Sequence, residues 1–246
     1  MPVDLIYGIH VLQRLLKTKP QQILEVFVVQ SREDERIQEI LLMCKQFNIA
    51  IHALSKKALD LRLSSANHQG IAARVRVPAL LNEQDLIALL STHANPLLLI
   101  LDGVQDPHNL GASLRVADAT GVIAVIIPKN KGVALTPVVR KVASGAAETI
   151  PLVQVTNLVC CLEALKERGI WVVGSSLYTK QTLYQVDLKG PLAIVLGAEG
   201  SGIRHLTEQH CDVLMHIPML GMIESLNVSV AAGVCLYEAT RQRLFT

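Results

Sequence analysis

The sequence predicts an α/β protein in two parts. A mainly parallel sheet covered by helices occupies residues 97–246, a smaller α/β domain occupies 1–77, and residues 78–96 join them. Three observations carry this. After Pro96, continuous apolar runs at 97–102, 122–128, 149–155, 170–176 and 192–197 alternate with helical patterns at about 109–120, 137–147, 157–168 and 202–210. Strands buried on both faces read as such unbroken runs, and the alternation gives parallel pairing. Second, PALLNEQDLIALLSTHANP is bracketed by Pro78 and Pro96 and reads as a linker with one short helix. Third, the charge changes sign: residues 1–76 carry 11 Lys or Arg against 7 Asp or Glu (+4), and residues 77–246 carry 12 against 14 (−2). A basic small domain suits an anionic partner.

In the first part, residues 6–17 have the pattern of a short amphipathic helix, 23–29 of a strand, and 32–47 of a helix with charges on one face. A second strand fits 49–54, a helical turn 56–61, and a polar turn leading into a strand 64–77. After the apolar runs of the second part, a short run at 213–218 precedes a helix from Val228 to Arg243, whose first nine residues are nearly all small or apolar. Such a helix is buried on most of its surface.

Composition narrows the function. Half of the 246 residues are hydrophobic, enough for a substantial core, but aromatics at 3% do not suit a stacking platform for bare bases. No apolar run approaches the roughly 20 residues of a membrane span. The start, MPVDLIYGIH, lacks the pattern of a signal peptide. Cys44, Cys160, Cys161, Cys211 and Cys235 show no CxxC spacing; they read as reduced, packing thiols of a cytoplasmic protein, with no metal site.

Four polar loops stand out. Asn67-His68-Gln69-Gly70 is either a plain turn or a loop presenting His68 and Gln69 to RNA, with Arg74 and Arg76 alongside. In LDGVQDPHNLGASLRVADATG, Asn109 can cap a helix, and Arg115 lies among small and apolar residues, so it needs a partner, with Asp118 one turn on. In LGAEGSGI, Glu199 sits between glycines that permit close approach of backbone to a ligand; the spacing is not the dinucleotide fingerprint GxGxxG. In IPMLGMIESLNVS, Ser225 or Asn227 either caps the last helix or belongs to a site.

Taken in order, the last three loops resemble the motifs of the SpoU, or TrmH, family of RNA ribose 2′-O-methyltransferases (the SPOUT fold). The matches are Asn109-Leu110-Gly111 with Arg115, then Leu196-Gly197-Ala198-Glu199-Gly200, then Ile217-Pro218-Met219 followed by Ser225-Leu226-Asn227-Val228-Ser229. The first domain is similar to the family's substrate-binding domain, including Tyr7-Gly8 and His68-Gln69-Gly70-Ile71. DPHNLGA, KVASGAAE and SLNVSVA look most like the members that act on a guanosine of bacterial 23S rRNA, in the peptidyl-transferase region. The resemblance implies a trefoil knot in the second domain, S-adenosyl-L-methionine as methyl donor and a homodimer. It implies cofactor contacts at Leu196, Gly197, Ile217, Met219 and Leu226, and reaction residues at Asn109, Arg115, Glu199, Ser225 and Asn227. The run Met222-Ile223-Glu224 departs from the family's pattern, being bulkier and more acidic.

A ribose 2′-hydroxyl is a poor nucleophile until its proton leaves. A guanidinium is effectively always protonated, so Arg115 is better suited to hold a phosphate and stabilise an alkoxide than to act as base. Glu199 either orients Arg115 or takes the proton. Two other readings stay open: the same reaction on tRNA or another RNA, and a non-catalytic RNA-binding protein of this fold. An oxidoreductase is disfavoured by the missing GxGxxG.

Overall fold

The computed structural model describes residues 3–30, 34–63, 68–76, 80–130 and 132–245. Asn67, predicted in the polar turn, lies outside them. The chain forms two compact units, Met1–Ala79 with Leu135–Thr149, and Leu80–Ala134 with Ile150–Thr246.

The first unit is built on a four-stranded sheet in the order β1-β4-β2-β3, with β1 Val3–Tyr7, β2 Ile23–Val29, β3 Ala50–Leu54 and β4 Ile71–Arg76. β4 runs antiparallel to both β1 and β2, and β2 is parallel to β3. The sequence reading missed β1 and began the first helix at residue 6. Helix α1 spans Ile9–Thr18 instead. Gly8 separates the two at φ 107°, a backbone conformation that favours glycine. β1 escapes a local reading because it is five residues long and its partner lies some seventy residues on. Helix α1 buries Ile9, Val11, Leu12, Leu15 and Leu16, and α2 (Glu35–Gln46) buries Ile37, Ile40 and Cys44, in one core with β2 and β4. Helix α3, Lys56–Arg62, closes the other face through Leu59.

Residues 135–149, which the apolar pattern groups with the second part, pack in this first unit. Helix α6 (Pro137–Val142) lies against β1. Its Arg140 forms a buried ion pair with Glu148.

The second unit holds a six-stranded, all-parallel sheet in the order β10-β8-β9-β5-β6-β7. The strands are β5 Leu97–Asp102, β6 Ala124–Pro128, β7 Leu152–Val155, β8 Trp171–Ser175, β9 Leu192–Gly197 and β10 Val213–Met215. On one face, α4 (Glu83–Leu90) and α7 (Leu158–Lys166) pack against alternate side chains of β5, β6, β7, β8 and β9. Elsewhere α5 (Pro107–Ala119) packs against β6, and α9 (Val228–Phe245) packs on α5 and β9.

The segment between Pro78 and Pro96, expected to be a linker with one short helix, carries α4, and that helix packs into the core of the second unit. Leu86 and Leu90 of α4 are core residues, Asn82 and Asp85 form a capping box, and Leu81 bridges to Val153. The Glu83 carboxylate accepts the Thr156 amide at 2.6 Å, which holds it below the usual carboxylate range. Among the described residues no helix is long and apolar enough to cross a membrane.

The strand order locates the site. From β5 the chain adds β6 and β7 on one side, then returns to place β9 and β8 on the other. The loops after β5 and β9 therefore diverge at the carboxyl edge, where open parallel sheets bind ligands.

Candidate active site

β5 and β9 end side by side, Asp102 opposite Gly197. After Gly197 the chain doubles back, and the Gly202 amide donates to the Ala198 carbonyl at 2.9 Å. A Cβ on Gly197 would lie 1.8 Å from the carbonyl carbon of Gly202. The sequence reading assigned the glycine to close approach of a ligand; its nearest neighbour is the chain's own loop. Gly200 and Gly202 take positive φ in the same turn.

Asp102 fixes this loop from below. Its buried carboxylate accepts Arg204 Nε at 2.6 Å, Nη2 at 2.5 Å and the Arg204 amide at 3.0 Å. Charge-assisted bonds to a planar fork are the strong, directional kind. The only sequence signal for this pair was an acid ending an otherwise apolar strand.

On that support three side chains from distant segments meet. Asn109, in the first turn of α5, donates from Nδ2 to Glu199 Oε1 at 3.1 Å. Asn227 Nδ2 donates to Asn109 Oδ1 at 2.9 Å and also to Glu199 Oε1. Asn227 Oδ1 accepts the Ser229 amide at 2.9 Å and the Ser229 hydroxyl at 2.6 Å. Asn227 therefore caps α9 and belongs to the cluster, so its two readings hold together. Asp106, not Asn109, caps α5.

Beside the cluster a cavity of about 240 Å³ opens between the loops after β8, β9 and β10. Leu196, Gly197, Ile217, Met219, Ser225 and Leu226 all line it, together with Glu199. The sequence reading missed a further wall formed by residues 175–178 and His216. His216 Nδ1 is buried with no hydrogen-bond partner among the described residues. A part-apolar cavity with one orphaned ring nitrogen and the carboxylates of Glu199, Glu208 and Glu224 on its wall fits a ligand that is part heteroaromatic ring and part charged chain.

Arg115 stands apart. It is exposed on α5, does not line the cavity, and among the described residues makes no hydrogen bond or ion pair, with Asp118 or with Glu199.

In the first unit, His68 is buried at 5% exposure. Its Nδ1 accepts the Gly70 amide at 3.0 Å and its Nε2 lies 2.8 Å from Asp60 Oδ1. Gln69, at φ 56°, accepts the Ile9 amide at 3.1 Å. These two polar side chains brace the turn instead of projecting from it. Arg74 and Arg76 are exposed on β4, Arg74 beside Glu25 at 2.6 Å. Of the cysteines, Cys44, Cys161 and Cys235 are buried, and burial pushes the Cys161 and Cys235 thiols up to about 12, so they remain neutral packing groups.

Residues 96–237 match the SpoU rRNA Methylase family, and residues 5–80 match the family described as RNA 2′-O ribose methyltransferase substrate binding. The 23S rRNA (guanosine-2′-O-)-methyltransferase RlmB of Shewanella oneidensis is 54% identical over 240 residues, covering 98% of each chain. A crystal structure of an RNA 2′-O ribose methyltransferase superposes with TM-score 0.82 at 27% identity, over 99% of this chain and 90% of that one. The SpoU methyltransferase AviRb of Streptomyces viridochromogenes, solved with AdoMet, has the same fold, with TM-score 0.82 at 23% identity over 99% and 92%. With the family matched across most of the second unit and a relative this similar over nearly its whole length, the chain belongs to the SpoU rRNA methylase family.

Proposed function

We infer that the chain transfers a methyl group from S-adenosyl-L-methionine to the ribose 2′-hydroxyl of a guanosine in 23S rRNA. One observation carries the reading: Asn109, Glu199 and Asn227 converge beside a part-apolar cavity in a chain similar end to end to a protein named for this reaction.

The donor, when bound, supplies an electrophilic methyl on a sulfonium. Leu196, Ile217, Met219 and Leu226 would enclose its adenine, with backbone of Gly197 reading the ring edge and the orphaned His216 nitrogen meeting a polar group. Glu199 Oε1 takes both amide contacts, from Asn109 and Asn227. That fixes the carboxylate and leaves Oε2 to accept the proton of the 2′-hydroxyl. No hydrogen bond or ion pair joins Glu199 to Arg115 among the described residues, which favours proton acceptance over orientation of the arginine. Arg115, permanently charged, would hold the neighbouring phosphate and stabilise the developing alkoxide, with Ser225 positioning the ribose.

An exposed apolar row on α9, Val230, Tyr237, Leu244 and Phe245, supports a homodimer through this helix, with each pocket finished near the pairing face. Arg115 stands exposed on the adjoining α5. The knot belongs to the same reading, as do a cytoplasmic location and RNA contact through Arg74 and Arg76 in the basic first domain.

The test is to map 2′-O-methylguanosine in 23S rRNA from a strain lacking this chain. One guanosine, expected in the peptidyl-transferase region, should lose its methyl group and regain it when the chain is restored. An unchanged 23S pattern with a methyl lost from tRNA would move the reaction to the other substrate.

A further inference from the structure

Exposed apolar side chains stand on two loops that line the cavity, Leu177 and Tyr178 on its wall and Leu220, Met222 and Ile223 in the segment between its lining residues Met219 and Glu224, and cofactor binding leaves them unexplained. Leu177 and Tyr178 follow β8, and Leu220, Met222 and Ile223 follow β10; all five are exposed, Tyr178 at 96%. β8 and β10 are parallel neighbours, Ser175 opposite Met215, so their two loops leave the sheet together. They are also strapped to each other. The Ser176 amide donates to the Met215 carbonyl at 2.8 Å, the His216 amide to the Gln181 carbonyl at 3.0 Å, and the Thr179 hydroxyl to the Leu214 carbonyl at 3.2 Å. The Leu177-Tyr178 loop is therefore held against the end of β10 before any ligand arrives.

Resting on the activity inferred above, we propose that these apolar side chains form the shelf for the target guanine, with the Tyr178 ring as its stacking face and Met222 and Ile223 as its apolar border. The base hangs from C1′, the carbon next to the one bearing the reacting hydroxyl. A site that holds the 2′-oxygen at Glu199 must therefore meet the base on a surface continuous with the same cavity. Leu177 and Tyr178 line the cavity that Glu199 lines. Of the two ring-bearing lining residues, Tyr178 is exposed whereas His216 is only partly exposed, so Tyr178 offers the open face. RNA bases unstacked from their neighbours are taken up on aromatic faces, and enzymes that act on a nucleotide extrude it first. The scarcity of aromatics argues against a platform for a run of bases, but a single flipped base needs a single ring. The acidic Glu224, also on the cavity wall, stands where it can accept from the N1–H or N2–H₂ donors of guanine, which adenine lacks.

The experiment uses the full chain and 23S rRNA from cells lacking it, once the target guanosine is mapped. Methyl transfer and S-adenosylhomocysteine affinity are measured for Tyr178→Ala and Tyr178→Phe, on the normal RNA and on RNA whose target is uridine, a poorer stacker. Tyr178→Ala should lower kcat/KM by roughly 10- to 100-fold on the guanosine RNA, the range that loss of one base–aromatic stack gives. On the uridine RNA the penalty should shrink to a few-fold. Tyr178→Phe should keep most activity, and S-adenosylhomocysteine affinity should be unchanged in both. A parallel fall in S-adenosylhomocysteine affinity would make the ring a cover for the cofactor and overturn the proposal. An equal penalty on both RNAs, or no penalty at all, would overturn it as well. Wild-type protein that transfers no methyl to 23S rRNA would instead contradict the underlying activity.

Discussion

Two polar clusters in this chain look alike as sequence and differ as structure. The turn His68-Gln69-Gly70 and the trio Asn109, Glu199 and Asn227 both gather amides and titratable groups on loops. In the turn, the hydrogen bonds of His68 among the described residues go to Asp60 and Gly70, and the histidine is buried. The trio joins positions 90 and 118 residues apart and stands beside a cavity. The bonds of the turn satisfy backbone amides that the fold would otherwise bury unpaired; convergence of three side chains on an exposed carboxylate serves no fold requirement of comparable weight. Gln69 of the turn also reaches far, to the Ile9 amide 60 residues away, so sequence separation alone does not mark a site. The turn is a brace because its polar groups are spent on backbone amides and Asp60, while the carboxylate of the trio stands exposed beside a cavity.

The largest expected effect comes from Arg115→Ala. An exposed arginine without a partner in the described structure contributes little to stability, so thermal unfolding should barely move. Methyl transfer per folded molecule should fall by roughly 10²–10⁴ while S-adenosylhomocysteine affinity stays within a few-fold. A lowered melting temperature with full activity in the folded fraction would make Arg115 a structural residue.

Next is Gly197→Val. A Cβ there collides with the backbone of Gly202, not with a side chain that can swing away. The turn must open, at a cost of about 1–3 kcal/mol of stability, and S-adenosylhomocysteine binding should be lost with it. Calorimetry on the folded variant checks this; wild-type affinity would place the cofactor elsewhere.

His68→Ala sharpens the comparison from the other side. It leaves the buried Gly70 amide without its acceptor, so stability should fall by about 1–3 kcal/mol in denaturant titration. RNA affinity per folded molecule should not change. A fall in RNA affinity with unchanged stability would make the turn a recognition loop after all.

The smallest effect concerns the far end of α9. Glu238 accepts both Arg241 nitrogens, at 2.9 and 2.8 Å, and Gln242 at 2.8 Å, and the Arg241 bonds hold its carboxyl below the usual range. A depressed folded-state pKa stabilises above the unfolded value of 4.5 and loses that stabilisation as pH falls through the folded value. The stability gap between wild type and Glu238→Gln should therefore be full near pH 7 and shrink below about pH 4.5. A gap independent of pH would mean the side chain acts by shape alone.

How much the sequence reveals follows a division between local and distant. The central strands are legible because burial on both faces leaves unbroken apolar runs such as 97–102 and 192–197. β1 is not, because five residues before a glycine carry too little pattern. Asn109, Glu199 and Asn227 are individually weak signals, and only their ordered resemblance to a family singles them out. Asp102 leaves only a faint trace, an acid ending an apolar strand, and Arg204, the orphaned His216 nitrogen and Tyr178 leave none, since their roles arise from loops brought together by strand order. The glycine at 197 is legible as necessary, but the reason, contact with its own loop, needs coordinates.

We propose above that a carboxylate held by two asparagine amides takes the ribose proton. The most direct test is single-turnover methyl transfer by Glu199→Gln, beside S-adenosylhomocysteine affinity and thermal stability. Glutamine keeps the shape and an acceptor oxygen for the amides, but cannot take the proton. The account predicts a rate lower by roughly 10²–10⁴, with affinity and stability nearly unchanged. A Glu199→Gln protein that transfers methyl at the wild-type rate would contradict it.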